Sequence, residues 1–485
     1  MKNRASTHVK PIPKAPTGIG GLDDILEGGL PKGRTTLVGG GPGSGKTILG
    51  LEFVYRGALA GEPGVFISFE ESAAAVRQNA SALGWDLAAL EKAGKLALLN
   101  PRLPTEVTVS GDFNLKGLLA ILDGQVRALR AKRIVIDAVD ALTRIYDDPK
   151  RERNELYALH HWLDDQQLTA ILTAKIGEDA GPSGRHGYLD FMVDCVLRLD
   201  QRVAGQVTTR RLRVIKYRGS GFGRNEYPYL IGPGGTTYVP LSMLELMHQP
   251  LGGRVSAGQP RLDELLGGGF LRGACILLSG TSGTGKTTLA VSFARAACAR
   301  GEKVLYLGFE ESEAALVSCM LSPGLDLRPA LRAKKLRIQA VMPEAVGAEE
   351  HLIRAYQIIA EFGPDHMILD AISACRRMGS DQAAFDFLMR LVNTCKQRGI
   401  TCLLLNQTPG LQETDEITGI GFSSLVDAVL LLRFEEQNRT VHRDLLVMKL
   451  RGSKHSHQHH RYRITDHGVE ILANGTPGAP EGSPA

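Results

Sequence analysis

The chain has 485 residues, of which 43% are apolar and 22% are charged. This length is too great for one hydrophobic core, and a norm of about 150 residues per domain gives two or three domains. The 57 basic and 52 acidic residues nearly balance. The net charge therefore gives no reason to expect binding to nucleic acid or to a membrane surface.

The sequence shows no signal-peptide pattern and no apolar run long enough to cross a bilayer. Its seven cysteines have no C-x-x-C spacing, and several lie in apolar runs, where cysteine packs as a small core residue. We therefore expect reduced thiols in a cytoplasmic protein, without a disulfide framework or a zinc site. Residues 1–16 are basic and contain proline, and we expect them to form a loose arm.

The first motif along the chain is a glycine-rich loop. It reads Gly-Gly-Pro-Gly-Ser-Gly-Lys-Thr from Gly40 to Thr47 and follows an apolar run. Glycines let backbone N–H groups turn toward phosphates, while Lys46 would reach the β and γ oxygens and the Thr47 hydroxyl would ligate Mg²⁺. The sequence therefore predicts a nucleotide site whose contacts come from Gly43, Ser44, Gly45, Lys46, Thr47 and Ile48.

Acidic residues follow two further apolar runs of this half. Glu70 and Glu71 come after the run from Val65 to Phe69, and Asp137 ends a run that begins at Arg133. At the carboxyl edge of a sheet, Asp137 could meet the hydration shell of Mg²⁺, and a glutamate could orient water or a hydroxyl toward the γ-phosphate. The alternatives are a turn aspartate at a strand end and a solvated acidic pair that caps a helix.

Lys216 and Arg218 follow a β-like run from Leu212 to Ile215. Such a pair can donate charge-assisted hydrogen bonds to γ-phosphate oxygens. If the pair reaches out from an adjacent subunit, hydrolysis depends on assembly. The alternative is a solvated basic turn.

The second half of the chain repeats these landmarks in the same order. Lys286 follows Lys46 by 240 residues, and Asp370 follows Asp137 by 233 residues. The candidate residues of this half are, in chain order, Gly283, Thr284, Gly285, Lys286, Thr287, Thr288, Glu310, Glu311, Asp370, Lys449 and Arg451. One glycine-rich match can be accidental, but two matches within an ordered repeat indicate a duplication with two nucleotide sites.

Short apolar runs, such as Val304 to Leu307, alternate with amphipathic stretches, such as Ala383 to Lys396, in both halves. Continuous apolar strands that alternate with helices indicate a parallel sheet covered on both faces. The sequence therefore predicts an α/β fold. The predicted segments are an arm (1–16), two domains (17–245 and 246–472) and a Gly/Pro-rich tail that we expect to be disordered (473–485).

The order of glycine-rich loop, Phe-Glu-Glu, strand-end Asp and Lys-x-Arg-Gly, duplicated in one chain, resembles the KaiC family. This family comprises RecA-superfamily ATPases and autokinases of the bacterial circadian clock. The resemblance runs from roughly Thr17 to Leu472 and includes Gly84-Trp85-Asp86-Leu87. It implies two tandem RecA-like P-loop NTPase domains, each a mainly parallel sheet flanked by helices. It also implies ATP and Mg²⁺ as cofactors, and a double-ring homohexamer with nucleotides between neighbouring subunits.

The resemblance implies a role for each landmark. The first domain would be a slow ATPase, and the second would act as a serine/threonine protein kinase on its own chain. The implied general bases are Glu70 and Glu310, and their acidic neighbours are Glu71 and Glu311. The basic pairs that would serve a neighbour's nucleotide are Lys216/Arg218 and Lys449/Arg451. The implied phosphoacceptors are Ser423 and Ser424.

The sequence also departs from the family pattern. Ser424 stands where the clock protein has threonine, and Pro323 stands where its second domain has an adenine-stacking tryptophan. The segment after Leu472 lacks the long tail that the activator KaiA captures, so KaiA is not an expected partner. KaiB-like proteins, response regulators and histidine kinases are the partner classes that the resemblance leaves. The role then lies between circadian timing, an hourglass-type timer and stress signalling.

Two other functions use the same loops. A RecA-like DNA-dependent motor would need a basic stripe along a ring channel, and the balanced charge offers little support for one. A signalling scaffold would use nucleotide only to hold a ring together, without phosphorylation. Stimulation of ATP hydrolysis by single-stranded DNA would favour the DNA-dependent motor. A ring that forms with ATP but takes up no phosphate from γ-labelled ATP would favour the signalling scaffold.

Overall fold

Each half of the chain folds into its own unit. The structure, a computed structural model, describes residues 12–101, 115–143, 148–176, 187–204, 207–239, 249–408, 425–437 and 439–472. One compact unit takes the residues up to 243 except 204–207, and the other takes the residues from 244 onward. Among the described residues, no helix combines the length and the apolar character that crossing a membrane requires.

The first unit alternates strands and helices along the chain. Its strands are β1 (Lys14–Ala15), β2 (Leu30–Pro31), β3 (Thr35–Gly40), β4 (Gly64–Ser68), β5 (Leu96–Leu99), β6 (Arg133–Asp137), β7 (Thr169–Lys175), β8 (Cys195–Ala204), β9 (Val207–Tyr217), β10 (Glu226–Gly232) and β11 (Gly235–Tyr238). Its helices are α1 (Leu22–Ile25), α2 (Lys46–Leu59), α3 (Ala73–Ala82), α4 (Leu87–Lys92), α5 (Leu115–Leu129), α6 (Val139–Thr143), α7 (Pro149–Asp165) and α8 (Gly187–Met192).

The second unit follows the same plan. Its strands are β12 (Arg254–Val255), β13 (Phe270–Leu271), β14 (Cys275–Gly280), β15 (Val304–Gly308), β16 (Leu336–Ala340), β17 (His366–Asp370), β18 (Thr401–Gln407), β19 (Ala428–Gln437), β20 (Thr440–Leu450), β21 (His460–Thr465) and β22 (Gly468–Ile471). Its helices are α9 (Pro260–Leu265), α10 (Lys286–Ala299), α11 (Glu313–Cys319), α12 (Arg328–Arg332), α13 (Ala348–Phe362) and α14 (Asp381–Gln397), with 3₁₀ turns at Pro343–Ala345 and Ile372–Met378.

Both units build the same nine-stranded sheet. The strand order is β11-β10-β9-β8-β3-β7-β6-β4-β5 in the first and β22-β21-β20-β19-β14-β18-β17-β15-β16 in the second. Neighbours from β8 to β5 and from β19 to β16 are parallel, whereas β9 to β11 and β19 to β22 pair in antiparallel fashion. Because parallel strands end at one edge, the segments after β3, β4 and β6 meet there. The predicted α/β fold is confirmed.

Helices cover both faces of the parallel strands. In β3, Leu37 packs in a core with α5 and α7, whereas the next residue, Val38, packs in a core with α2. Every residue of β3 and β14 is buried. Strands buried on both faces lack the alternation of apolar and polar residues, which explains the continuous apolar runs in the sequence.

A partly buried cluster of ionisable groups lies at the start of β17. The fully buried imidazole of His366 has its Nε2 3.0 Å from Oε2 of Glu302, and the guanidinium of Arg272 also pairs with Glu302. Burial lowers the pKa of His366. Burial acts to raise the pKa of Glu302, but the hydrogen bonds from Arg272 and His366 together outweigh it and bring that pKa to about 2.

We expect the second unit to lose stability as the pH falls from about 4.5 toward 2, and Glu302→Gln to flatten this loss. The unfolded chain takes up a proton near the ordinary glutamate pKa of 4.5, whereas folded Glu302 stays ionised down to about 2. The unfolded state then binds more protons, which costs up to about 1.4 kcal/mol of unfolding free energy per pH unit. His366 contributes a loss of the same sign below pH 6.5, because its folded pKa is lowered.

Both tryptophans, Trp85 and Trp162, belong to the first half of the chain. Tryptophan fluorescence therefore reports on the first unit. Hydrogen exchange of the β17 amides reports on the second unit, to which this strand belongs. The exposed Glu313→Gln serves as the substitution control. An identical pH dependence of β17 exchange in the parent chain and in Glu302→Gln would refute the assignment.

Candidate functional site

The ammonium group of each loop lysine lies against its own glycine-rich loop. Nζ of Lys46 donates to the carbonyl oxygens of Gly40 at 2.9 Å and Gly41 at 2.8 Å, and Lys286 makes the equivalent two bonds at 2.8 Å. Burial lowers the pKa of both lysines, and nearby carboxylates oppose that shift. Helices α2 and α10 begin at these lysines. The positive end of a helix dipole and an ammonium group thus coincide, an arrangement that suits phosphate.

The remaining predicted loop residues shape the loop. The side chains of Ser44 and Thr284 donate to the carbonyls of Gly41 and Thr281, each at 2.8 Å. Gly43, Gly45, Gly283 and Gly285 all have positive φ, a conformation that favours glycine. Ile48 and Thr288 lie in the first turn of α2 and α10, respectively.

Residues from the antiparallel strands hold each loop, and the sequence analysis did not single them out. The Tyr229 hydroxyl donates to the carbonyl of Ser44, and the Tyr462 hydroxyl donates to the carbonyl of Thr284 at 2.5 Å. Both tyrosines are buried. The two tyrosines are 233 residues apart, so a comparison of the halves at that spacing could have found them.

An isoleucine and an arginine accompany each of these tyrosines. A Cβ atom on Gly45 would lie 2.6 Å from Cδ1 of Ile231, and one on Gly285 would lie 2.8 Å from Cδ1 of Ile464. Glycine is therefore required there both for its φ and for this close approach. In a separate matched pair, Arg210 and Arg443 each place Nε 3.4 Å from a loop carbonyl, that of Gly43 or Gly283.

The loop threonine and the strand-end aspartate of the first unit lie together. The Thr47 hydroxyl donates to Oδ2 of Asp137 at 2.9 Å, and the Thr173 hydroxyl donates to Oδ1. Burial raises the pKa of Asp137, and the two threonine hydrogen bonds oppose this shift. The carboxylate is thus fixed in orientation by two hydroxyl groups.

The second unit repeats this contact with one different partner. The Thr287 hydroxyl donates to Oδ2 of Asp370 at 2.9 Å, and the Tyr306 hydroxyl donates to the same oxygen at 2.5 Å. A hydroxyl and a carboxylate are hard oxygen ligands of the kind that Mg²⁺ binds, so these residues fit the ion. A Mg²⁺ ion held there would neutralise charge on the β- and γ-phosphate oxygens.

The paired glutamates lie beside these groups at the same edge of the sheet. The charge of Glu70 acts on the pKa of Lys46 and of Asp137, as a weaker influence than burial in both cases. Glu71 accepts a hydrogen bond from Nδ2 of Asn79 at 2.9 Å. The next residue, Ser72, caps α3 by accepting from the Ala75 N–H, so the serine caps the helix and the glutamates do not.

Glu310 and Glu311 occupy the matching exposed positions in the second unit. The charge of Glu310 acts on the pKa of Lys286, after burial and Asp370. Ser312 caps α11, as Ser72 caps α3. The order of functional groups around the loop is therefore the same in both units.

A cavity of about 540 Å³ adjoins the first loop. Lys46, Thr47, Glu71 and Arg210 contribute polar groups to its wall, and Leu51, Val76 and Leu83 contribute apolar ones. A phosphate-binding end beside an apolar wall is the arrangement that a nucleotide needs.

The Lys216/Arg218 pair lies at the amino ends of the parallel strands, whereas the loop of its own unit lies at their carboxyl ends. The Arg218 N–H donates to the carbonyl of Asp194, and the Asp194 N–H donates to that of Thr35, the first residue of β3. The loop follows the last residue of this six-residue strand, about 17 Å away at 3.3 Å per residue. The structure therefore does not bring this pair to the loop of the same unit.

Main-chain oxygens surround the first basic pair. Nζ of Lys216 donates to the carbonyls of Asp190 and Val193, both at 2.6 Å, and Arg218 donates to the carbonyl of Phe191 at 2.7 Å. Burial lowers the pKa of Lys216. The Phe191 side chain beside this pair is 68% exposed.

The second basic pair, Lys449 and Arg451, has the same place in its unit. The Arg451 N–H donates to the carbonyl of Asp427, whose N–H donates to that of Cys275, the first residue of β14. The buried carboxylate of Asp427 accepts from the Cys275 N–H at 2.9 Å and pairs with Nζ of the buried Lys396 at 2.8 Å. The sequence analysis did not single out Lys396, which fixes the start of β19. Ser423 and Ser424 lie outside the described residues.

Comparisons with known proteins agree with this geometry. A family model described as the KaiC ATPase matches residues 15–242 and again 255–476. The circadian clock protein KaiC2 of Synechocystis sp. is 39% identical over 463 residues, which cover 95% of this chain and 81% of that protein. The circadian clock oscillator protein KaiC of Synechococcus elongatus is 36% identical over 471 residues, which cover 97% of this chain and 91% of that protein.

A third relative, the circadian clock oscillator protein KaiC of Parathermosynechococcus lividus, is 36% identical over 467 residues. The family match spans both units, and each unit has a nine-stranded sheet and a glycine-rich loop in the same positions. Binding of nucleotide is a property of this ATPase family. The chain therefore belongs to the KaiC family of ATPases and contains two tandem domains with a RecA-like α/β fold.

Proposed function

We propose that this chain hydrolyses ATP in both domains and phosphorylates itself on Ser423 or Ser424 of its second domain. It does so within a homohexameric ring that serves timing or stress signalling. The supporting observation is the separation in each unit between the glycine-rich loop, at one edge of the sheet, and the basic pair, at the other edge. One domain does not bring both to the same nucleotide, and we propose that a neighbouring subunit completes the site.

The place of the acceptor in the sequence supports transfer between subunits. Ser424 precedes Asp427 by three residues, a stretch that spans at most about 10 Å. Asp427 is bonded to the first residue of β14, and the loop follows the last residue, Gly280, about 17 Å away. We therefore expect the phosphate to come from the loop of the adjacent subunit.

The first domain offers a template for the acceptor position. At the same 233-residue spacing, Asp190 and Phe191 correspond to Ser423 and Ser424. Their carbonyl groups accept hydrogen bonds from the basic pair of the first domain. Cations that lie beside this position can also bind the γ-phosphate of the incoming nucleotide.

The chemistry in the second domain is an in-line displacement. The serine oxygen attacks the γ-phosphorus, Glu310 takes the hydroxyl proton, and the bond between this phosphorus and the β,γ-bridging oxygen breaks to release ADP. Lys286 and the neighbour's basic pair stabilise charge on the transferred group. In the first domain, Glu70 would orient a water molecule in place of the serine.

Phosphorylation would change the charge at a subunit boundary. Each phosphate adds about −1.5 to −2 charge at neutral pH. We expect that charge to act on Arg451, whose guanidinium lies 3.5 Å from Oδ1 of Asp427. We propose that KaiB-like proteins, response regulators or histidine kinases detect the resulting change in the ring.

Labelling with [γ-³²P]ATP tests the acceptor assignment. We expect phosphate on the parent chain and a loss of nearly all label in the double variant Ser423→Ala/Ser424→Ala. The exposed Ser322→Ala is the matched control and should label fully. Native mass spectrometry with and without ATP measures the ring in the same samples.

Each outcome has a definite meaning. Full labelling of the double variant would show that the acceptor is elsewhere. An ATP-dependent ring without any label on the parent chain would replace the kinase with the nucleotide-held scaffold.

A further inference from the structure

We propose that the second domain contains a binding site for a small organic anion with an apolar or aromatic body. The site is a cavity of about 280 Å³ between the edge strand β16 and helix α13. None of its lining residues belongs to the glycine-rich loop of that domain. The proposal therefore does not rest on the proposed phosphorylation, although Phe309 of the lining directly precedes Glu310.

The duplicated chain shows how this cavity arises. Helices α5 and α13 both have 15 residues and correspond at the 233-residue spacing. In α5, Leu118 and Leu122 are buried and fill the space beside the sheet. The corresponding residues of α13 are His351 and Ala355, both of which line the cavity. The larger side chain of Leu122 fills the volume that the smaller side chain of Ala355 leaves empty.

A cavity of this kind costs stability, because the atoms around it lose packing contacts. The first domain shows that the same framework accepts leucine. In the second domain, polar groups line the space instead. Packing alone does not require this change. This difference between two copies of one fold points to a ligand.

The floor of the cavity is apolar and aromatic. The rings of Phe309 and Phe387 meet edge to face at 6.3 Å between centroids, and the His351 ring meets Phe309 edge to face at 5.8 Å. His351 Nε2 lies 3.0 Å from the carbonyl oxygen of Pro343, and burial lowers the pKa of this histidine. The floor therefore presents uncharged rings, which suit a flat apolar body.

The rim of the cavity is charged. Arg337 and Arg354 line it from the strand and from the helix, respectively, and Glu361 pairs with Arg337 at 3.0 Å. The corresponding residues of the first domain are Ala97, Ile121 and Ala128, so this charge is specific to the second domain.

The lining residues Arg337, Arg354 and Glu361 sum to one positive charge, and Glu350, which pairs with Arg354 from outside the lining, balances it. The Glu361 side chain is 71% exposed, and exposed ion pairs are weak. A ligand carboxylate can replace it and accept two parallel hydrogen bonds from a guanidinium. An apolar floor below two arginines thus selects an aromatic or branched carboxylate over a neutral molecule of the same shape.

Benzoate is a suitable probe, and benzamide is its neutral counterpart. The full-length chain is titrated with each by saturation-transfer NMR, with ADP present throughout so that the nucleotide sites are occupied. We expect benzoate to bind with a dissociation constant on the order of millimolar, as its small size dictates, and benzamide to bind at least about tenfold more weakly. Arg337→Gln and Arg354→Gln should each weaken benzoate by a similar factor.

Filling the cavity provides a second test. Ala355→Leu restores the residue of the first domain and should abolish benzoate binding, whereas Ala355→Ser, which keeps the space, should retain it. If Ala355→Leu does not fold, the two arginine variants still decide the question. No benzoate binding at tens of millimolar, or binding that neither the leucine nor the arginine variants reduce, would overturn the proposal.

Discussion

We expect alanine in place of Lys286 to remove nucleotide binding at one of the two predicted sites of the chain, and alanine in place of Lys46 to remove it at the other. Each ammonium group makes two charge-assisted hydrogen bonds within its loop, and phosphate oxygens compete for the same group. Hydrogen bonds to charged groups contribute about 1.5–3 kcal/mol each. The affinity of the altered site should therefore fall by about 100-fold or more.

Isothermal titration of ATP into the single and double variants separates the two sites. The single variants should titrate with half the parental stoichiometry, and the double variant should show no heat of binding and no turnover. Lys150→Ala, at an exposed position on α7, is the control for losing a lysine elsewhere. Parental stoichiometry or turnover in the double variant would refute the assignment of both loops as nucleotide sites.

The parts of this fold that sequence could predict are those that local chemistry dictates. A glycine-rich loop needs its residues in one uninterrupted stretch, so the closeness of Lys46 to Gly40 and Gly41 follows from the motif itself, whereas its hydrogen bonds to their carbonyl groups were not predicted. Apolar strands buried on both faces also leave a continuous signal. The pairing of Thr47 with Asp137 extends this logic, because the carboxyl ends of parallel strands share one edge.

What sequence could not predict depends on contacts between distant segments. Tyr229 reaches the loop from β10 and Arg210 reaches it from β9, and nothing in their local pattern distinguishes them from other strand residues. Their counterparts 233 residues later reveal them only once the register of the repeat is known along its whole length. The void beside Ala355 is similar, because its meaning comes from Leu122 in the other domain.

The sequence also could not predict at which end of the parallel strands Lys216 lies. A basic pair after a β-like run could lie at either end of the parallel strands. The end depends on whether its strand pairs in parallel or antiparallel fashion. The hydrogen bond from the Arg218 N–H to the Asp194 carbonyl places the pair at the edge where β3 begins. This geometry separates the pair from the loop of its own unit, which is the observation behind the proposed contribution of a neighbouring subunit.

Glutamine in place of Glu310 is expected to abolish self-phosphorylation while leaving ATP binding intact. Glutamine keeps the shape of the side chain but cannot accept the serine proton, and losing a general base typically reduces a rate by about 10²- to 10⁴-fold. The corresponding change in the first domain, Glu70→Gln, should reduce release of inorganic phosphate by that domain and leave labelling of the second in place.

The neighbouring glutamates provide matched controls at adjacent positions. Glu71 already accepts a hydrogen bond from Asn79, whereas the charge of Glu70 acts on both Lys46 and Asp137. Glu71→Gln should therefore reduce phosphate release less than Glu70→Gln, as measured by single-turnover kinetics in which binding and chemistry are resolved. If Glu310→Gln labels at the parental rate, proton removal by that carboxylate has no part in the transfer. A larger loss in Glu71→Gln than in Glu70→Gln would instead exchange the roles of the two glutamates.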